Sequence, residues 1–306
     1  LGGTEMNYYN EIKNELINNE VYKRVKDYSK NRNELSTYYN VGKLLIEAQD
    51  GEERAKYGDG LIKEYSKKLS EELGGKYNIT TLKRMRQFYL IIEKGATLWH
   101  QLTWSHYREL LTFDNIDEIN YYIKQTEIYN LSVRKLREKI KSKEYQRLDD
   151  NTKLKLINKE ETVVSDFIKN PIVIRNKYNI DKEEITEKIL KKLILEDLDN
   201  FLKELGTGFS YIENEYKIKV GNTYNYIDIL LFNYIYNCFV VIELKVTELK
   251  KEHIGQIQIY MNYVDKNIKT INQDKTIGVI ICKKDNGYYI EYSSDSRIYH
   301  KEYILN

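Results

Sequence analysis

At 306 residues the chain is long enough for two domains, and its 41% hydrophobic and 31% charged residues are typical of a soluble globular protein. No apolar run approaches the roughly 20 residues that a membrane-spanning helix needs, which excludes a membrane-embedded class. The net charge of +2 excludes binding of nucleic acid through bulk positive charge, so any such surface must come from basic residues clustered on one face.

The first half of the chain has the periodicity of helices. Apolar residues recur at three- and four-residue spacing through residues 10–49, up to a stop near Gly51, and again through residues 56–74, which Gly74 closes. Later start signals are Thr80 or Thr81, then Thr103 or Ser105, and then Ser132, which precede polar-capped helical patterns. The further helices are predicted over residues 81–95, 103–113, 115–130 and 131–148.

Periodicity is lost between residues 141 and 169, a stretch rich in Lys, Asn and Asp that lies just before the single proline, Pro171. We place a domain boundary there. The chain is therefore predicted to hold a helical domain over residues 6–150 and a second domain over residues 165–306.

The second half mixes one helical pattern with short apolar runs typical of strands. A helix over residues 181–205, stopped by Gly206, precedes three strands that are separated by the turn residues Gly221-Asn222 and Asn233–Asn237. The fold class is therefore α+β with two domains: an all-α domain, then an α/β domain with an αβββαβ order and a mixed sheet. The strands are predicted over residues 208–220, 224–232, 238–246, 276–284 and 288–294, with a helix over 252–266.

Three charged residues interrupt the second and third of these apolar runs. Asp228 lies in the run 224–232, and Glu243 and Lys245 lie on one face of the run 238–246, roughly 7 Å apart along the strand. Two adjacent strands of a hairpin would bring Asp228 beside Glu243. Paired carboxylates raise each other's pKa and favour a divalent cation between them, and an all-oxygen site suits Mg²⁺ or Mn²⁺. Alternatively, the Glu-x-Lys pair is a solvated charged pair on a half-exposed sheet.

The order Asp228, then Glu243-Leu244-Lys245, resembles the D…(D/E)xK signature of the PDDEXK nuclease superfamily. The chain resembles more narrowly the YhcG-type family, in which a helical N-terminal domain precedes a restriction-endonuclease-like PDDEXK domain. The matching stretches run in order through nearly the whole chain: RAKYGDGLIKEYSKKL, LKRMRQFY, LTWSHYREL, LSVRKLREKI, FLKELGTGF, IDILLF, IELK, HIGQIQIY and TIGVIICK.

The resemblance implies roles for individual residues. Asp228 and Glu243 would be metal ligands, with the Leu244 carbonyl as a third, and Lys245 would be the catalytic lysine. Gln256 and Tyr260 resemble the QxxxY pattern found in several branches of the superfamily; Gln256 would support the site and Tyr260 would contact nucleic acid. The family pattern expects a glutamate where this chain has Lys191, so Glu187 or Glu196 would have to replace it. The proline of the superfamily name is also absent before Asp228.

The N-terminal half offers a second candidate surface. Residues 65–89 are consistent with a helix-turn-helix-like pair in which Lys83, Arg84 and Arg86 at the start of the second helix contact nucleic acid. The same pattern also fits an amphipathic pair with a solvated basic face. Trp99, Trp104 and His106 are interpreted as an aromatic core corner, with base stacking as the alternative.

These features predict a Mg²⁺- or Mn²⁺-dependent nuclease that acts on DNA, and the family resemblance implies a role in DNA processing or in defence against foreign DNA. The alternative is a catalytically inactive protein of the same fold that binds nucleic acid or assembles with a partner. The expected partners are DNA and another protein bound by the helical domain, with a homodimer as the assembly. Cys238 and Cys282 lie in apolar runs, which favours reduced thiols and a cytoplasmic location.

Overall fold

The computed structural model describes residues 8–24, 30–49, 59–98, 101–283 and 295–306. The chain divides into two compact units, Leu1–Tyr145 and Gln146–Asn306. Trp99, Gly51 and the predicted strand 288–294 lie outside the described residues. None of the described helices combines the length and the apolar character needed to cross a bilayer.

The described part of the first unit is helical, as predicted. Its helices pack around fully buried side chains such as Leu82, Met85 and Phe88. The helices are α1 (Tyr8–Arg24), α2 (Lys30–Ala48), α3 (Asp59–Leu73), α4 (Ile79–Glu93), α5 (Trp104–Leu110), α6 (Ile116–Tyr129) and α7 (Val133–Lys141).

Helix starts follow the side chain that can accept a free backbone N–H of the first turn. Ser132 caps α7 and Thr103 precedes α5, as predicted. The prediction for α4 was wrong, because Asn78 is its N-cap and accepts the backbone N–H of Thr81 at 3.0 Å. Asn78 has the extended backbone that an N-cap needs.

The aromatic residues after α4 belong to the core of this unit. The Trp104 ring packs edge-on against Tyr38 and Phe88, with centroids 4.8 and 5.4 Å apart. His106 is buried, and its Nε2 lies 3.0 Å from the Leu131 carbonyl oxygen. Burial lowers the pKa of His106. These contacts favour the core interpretation of Trp104 and His106 over base stacking.

The second unit is a six-stranded mixed sheet with helices on both sides. The strand order is β1-β6-β5-β4-β3-β2; β2, β3 and β4 pair antiparallel and the remaining pairs are parallel. This arrangement contains the predicted αβββαβ order. Its elements are α8 (Asp150–Asn158), β1 (Ile172–Ile174), α9 (Glu187–Glu196), α10 (Leu198–Leu205), β2 (Phe209–Val220), β3 (Thr223–Asn233), β4 (Cys238–Leu244), α11 (Lys251–Asn267), β5 (Asp274–Cys282) and β6 (Ile298–Leu305).

Three details differ from the sequence-based prediction. The helix predicted over 181–205 is two helices, because the backbone leaves the helical region at Asp197 (φ −133°, ψ 47°). Helix α8 was missed because Thr152 is its single buried side chain, so its sequence carries no periodic signal. Strands β1 and β6 were also missed: β1 has three residues, and β6 buries a charged residue, Lys301.

The sheet separates two apolar clusters. On one side, α9 and α10 pack against residues such as Val240, Ile242 and Leu244. On the other side, α11 packs against Phe239, Val241 and their neighbours. Consecutive β4 residues therefore point to opposite sides, as expected for a strand buried on both faces.

Candidate active site

The register of β3 and β4 brings the two predicted carboxylates to the same end of the paired segment. The strands pair from Asn233–Cys238 to Ile229–Ile242, so Asp228 adjoins the last paired residue of β3 and Glu243 adjoins the last paired residue of β4. Beyond these pairs the Asp228 side chain replaces the backbone ladder, since its Oδ2 accepts the Leu244 N–H at 2.9 Å. The Asp228 carboxylate thus joins the middle of β3 to the end of β4.

The Glu243 carboxylate is the most buried charged group of the site, with 3% of the residue exposed. Its Oε1 accepts a hydrogen bond from Lys245 Nζ at 2.8 Å, whereas its Oε2 is buried without a hydrogen-bond partner. Burial, together with the negative charge of Asp228, raises the pKa of Glu243 to about 7. A buried carboxylate oxygen without a donor is energetically costly, and it is a ready ligand for a cation.

Lys245 follows the last residue of β4, and its backbone N–H continues the sheet by donating to the Ile281 carbonyl at 2.8 Å. Burial acts to lower the pKa of Lys245, but the hydrogen bond and charge of Glu243 outweigh it, so the pKa is raised. The side chain is therefore an ammonium at neutral pH. Its charge suits it to stabilising an anion rather than to accepting a proton.

Helix α9 contributes two side chains one turn apart. The Glu187 carboxylate lies 3.7 Å from Lys245 Nζ. Lys191 Nζ lies 2.7 Å from Asp228 Oδ1 and donates to Glu215 Oε1 at 3.3 Å. Although burial opposes it, the contact with Asp228 raises the pKa of Lys191. The helix thus brings a carboxylate to Lys245 and an ammonium group to Asp228.

Of the two glutamates considered as replacements at Lys191, the structure brings Glu187 to the site. Glu196 lies at the other end of α9, where its carboxylate accepts the Tyr178 hydroxyl at 2.6 Å. The Lys191–Asp228 contact was not predicted. The signal available in the sequence was the i, i+4 spacing of Glu187 and Lys191, which places both on one face of the helix.

Helix α11 lines the site from the opposite side of the sheet. Gln256 Nε2 donates to the Tyr260 hydroxyl at 2.9 Å. Tyr260 is 4% exposed and packed in the apolar cluster, so we correct its assignment to nucleic-acid contact: its ring is not open to a ligand. Its hydroxyl instead orients Gln256. His253, at the start of α11, is also buried, and burial followed by the charge of Lys245 lowers its pKa.

The oxygen atoms of this site are potential ligands of a divalent cation. Among the described residues, no group of three or more His, Cys, Asp and Glu side chains is arranged to hold a metal ion. Asp228 and Glu243 nevertheless offer two oxygen ligands, with the Leu244 carbonyl adjacent, and Glu243 Oε2 has no other partner. Mg²⁺ is commonly held by one or two carboxylates and retains several waters, so these residues fit such an ion.

The three basic residues predicted on the helix-turn-helix-like pair differ in exposure. Lys83 is exposed and Arg84 is half-buried on α4. Arg86 is also half-buried, and its Nε is buried without a hydrogen-bond partner. Lys83 is therefore the residue of the three that α4 presents most openly to solvent.

A mixed sheet that brings an aspartate and a Glu-x-Lys segment together is the arrangement expected of a domain of the PDDEXK class. Residues 165–304 match the YhcG PDDEXK nuclease domain, and residues 13–147 match the DUF1016 N-terminal domain. The chain belongs to this family of two-domain YhcG-type nucleases. Together the two matches account for most of the sequence.

Similarity to individual proteins is lower. The chain is 25% identical to "Putative nuclease YhcG" of Escherichia coli (strain K12), over 84% of this chain and 79% of that protein. It is 16% identical to a repair endonuclease from Pyrococcus abyssi, with a TM-score of 0.28 over 39% of this chain and 47% of that one. It is 18% identical to the EndoMS chain of an EndoMS–dsDNA2 complex, with a TM-score of 0.30 over 40% of this chain and 48% of that one. The chain thus spans about half the length of these two solved structures.

Proposed function

We propose that this chain hydrolyses phosphodiester bonds in DNA with the help of Mg²⁺ or Mn²⁺. The observation that carries the proposal is that Asp228 Oδ2 accepts the Leu244 N–H at 2.9 Å, directly beside Glu243, whose carboxylate lies 2.8 Å from Lys245 Nζ. Membership of a nuclease family supports the reaction class. We further propose a role in DNA processing or in defence against foreign DNA.

Asp228, Glu243 and the Leu244 carbonyl would hold the cation, which supplies Lewis-acid activation of water and of the phosphate when bound. Lys245 stabilises the negative charge that develops on the phosphate oxygens and orients the attacking water, because its ammonium stays charged. Gln256, held by Tyr260, supports the site from α11, and Glu187 accompanies Lys245 from α9.

The first unit is proposed to bind DNA through α4, with Lys83, Arg84 and Arg86 as the contact residues, or to bind a protein partner. The proposed assembly is a homodimer, which size-exclusion chromatography with light scattering would test. A cytoplasmic location stays a prediction; Cys238 and Cys282 are both buried free thiols.

The test is cleavage of supercoiled plasmid, linear duplex DNA, single-stranded DNA and RNA, with Mg²⁺, with Mn²⁺ and with EDTA. Glu243→Gln and Lys245→Met should each abolish metal-dependent cleavage. Glu213→Gln and Lys192→Met, which change the same residue types at exposed positions, should leave it intact. Cleavage that persists in EDTA, or in either site variant, would refute the proposed site.

A second candidate function follows from one contact. Lys191 Nζ already lies 2.7 Å from Asp228 Oδ1, and an ammonium there can substitute for a cation. A protein of this kind would bind nucleic acid without cutting it. Calorimetric titration with Mn²⁺ separates the two functions: the nuclease shows a site that Asp228→Asn removes, whereas the inactive protein shows no site to remove.

A further inference from the structure

The outer half of the β2–β3 hairpin extends beyond the strand that carries Glu243. Strand β4 pairs with β3 no further than Ile229, whereas β2 and β3 continue to pair from Tyr216–Ile227 to Val220–Thr223. This ribbon is roughly 13 Å long. It ends in a turn at Gly221 and Asn222, where Gly221 has φ 61°. The ribbon begins where Asp228 enters the site.

One face of the ribbon is anchored in the core. Ile218 is 1% exposed and Ile227 is 0% exposed, and both pack in the apolar cluster on α11. Side chains alternate along each strand, so the cross-strand pairs Lys217–Tyr226 and Lys219–Tyr224 point to the side of the sheet opposite Ile218 and Ile227. That is the side on which α9 packs.

The unanchored face carries two rings and two ammonium groups. Tyr224 and Tyr226 are 53% and 52% exposed. Lys217 Nζ lies 3.9 Å from the Tyr224 ring centroid and Lys219 Nζ lies 5.8 Å from it, so the lysines accompany the ring. Among the described residues, no carboxylate lies within ion-pair distance of either lysine. The side chains of Lys217, Lys219, Tyr224 and Tyr226 together are named the ribbon face.

Charge and chemistry identify the ligand that suits this surface. The lysines attract phosphate, and exposed aromatic rings stack on nucleobases that are not already stacked in a duplex. Tyr226 and Tyr224 precede Asp228 by about 7 and about 13 Å along the strand, so a chain bound there leads to the site.

We propose that the ribbon face binds an unpaired DNA strand that runs toward the scissile phosphate, with bases on Tyr224 and Tyr226 and phosphates on Lys217 and Lys219. This inference rests on the proposed function and narrows its substrate to DNA with a single-stranded segment beside the cut. The tyrosines are positioning residues, since they lie outside the reacting group.

The first experiment measures binding of the full chain, in EDTA, to a fluorescein-labelled single strand of thymidines and to a duplex of equal length. The single strand should bind more tightly than the duplex. Tyr224→Ala and Tyr226→Ala should each weaken its binding roughly fivefold or more, and the matching Phe variants should retain binding because the ring remains. Tyr234→Ala removes a tyrosine of 63% exposure on the β3–β4 turn and should leave binding unchanged.

Two further readouts separate ligand contact from a structural role. Lys219→Ala should reduce the slope of log affinity against log salt concentration by about 0.7, as for one lost phosphate contact on a single strand. In Mg²⁺, the tyrosine variants should raise KM for single-stranded substrate while kcat is retained. A structural defect would lower kcat and the unfolding midpoint together.

The inference is overturned if both alanine variants bind the single strand as tightly as Tyr234→Ala does. It is also overturned if wild type binds the duplex more tightly than the single strand and the alanine variants lose as much affinity for the duplex as for the single strand. If wild type cuts DNA but the ribbon variants are unaffected, the inference fails and the proposed function stands. If wild type neither binds nor cuts any nucleic acid, both fail.

Discussion

Replacing Lys191 by methionine tests how the site balances its charge. Lys191 Nζ lies 2.7 Å from Asp228 Oδ1, and each side chain is 15% exposed. Two unit charges about 4 Å apart interact by about 4 kcal/mol at an effective dielectric constant of about 20. Water at the partly exposed edge reduces this value, so we expect the ammonium to oppose cation binding by about 1–2 kcal/mol. Lys191→Met should therefore bind Mn²⁺ about tenfold more tightly than wild type, since 1.4 kcal/mol is a factor of about ten.

The assay is isothermal titration of the metal-free protein with Mn²⁺, followed by Mg²⁺. Lys192→Met is the matched control, because Lys192 is the next residue of α9 and its side chain is 70% exposed. Lys191→Arg retains the charge and should bind the cation no more tightly than wild type. Equal Mn²⁺ affinity for wild type and Lys191→Met would refute the view that Lys191 competes for Asp228.

Three further predictions concern stability. The folded-state pKa of Glu243, about 7, lies above its unfolded value, so ionisation of this carboxyl removes stability from the wild type as pH rises from the unfolded pKa to the folded pKa. In urea titrations of the metal-free proteins, the free energy of unfolding of Glu243→Gln relative to wild type should therefore rise by about 3 kcal/mol between pH 5 and pH 8.5. Gly42→Ala should lose about 1–3 kcal/mol, because a Cβ would lie 2.2 Å from the Met85 carbonyl oxygen on α4, whereas Gly60→Ala, with nothing within 4 Å, should not. Glu204→Gln should lose about 3–5 kcal/mol, because it leaves the buried Lys169 and the partly buried Arg147 without their carboxylate.

Each of these three has a contrary result. If the free energy of unfolding depends on pH in the same way for wild type and Glu243→Gln, burial does not raise the pKa of Glu243. A normal unfolding midpoint for Gly42→Ala would mean that α2 and α4 can separate at little cost. Wild-type stability of Glu204→Gln at neutral pH would show that the cations around it find water instead.

Much of the second unit was accessible from sequence because its central strands are buried on both faces. The runs that became β3 and β4 are apolar and bounded by turn residues; Asp228 interrupts the middle of the first, and Glu243 and Lys245 lie near the end of the second. Hairpin geometry then brings Asp228 beside Glu243 without any knowledge of the rest of the fold. Weakly amphipathic elements were missed: α8 has a single buried side chain, and β6 buries Lys301.

The contacts that tune the site were less accessible. Lys191 reaches Asp228 because α9 lies across the sheet at a particular position, and periodicity reports which face of a helix is buried but not where the helix lies. The burial of Tyr260 was not predicted for the same reason: periodicity indicates the position of Tyr260 on α11 but not how deeply its ring is packed. Asn78 was overlooked as a cap because two threonines follow it, although asparagine caps at least as well as threonine.

The two lysines explain how two carboxylates can face each other at a buried strand end. Lys245 donates to Glu243 and Lys191 contacts Asp228, so each carboxylate has its own ammonium partner at 2.8 and 2.7 Å. When Glu243 is ionised, the two carboxylates and two ammonium groups sum to zero charge, and this pairing offsets the repulsion that burial would otherwise increase. Glu243 Oε2 is the acceptor that this pairing leaves without a donor. A metal cation bound by Glu243 would weaken the hold of that carboxylate on Lys245, which would then be free to contact a phosphate. Lys191 lies on the other carboxylate and has Glu215 as a second partner, so it can leave Asp228 without losing every acceptor.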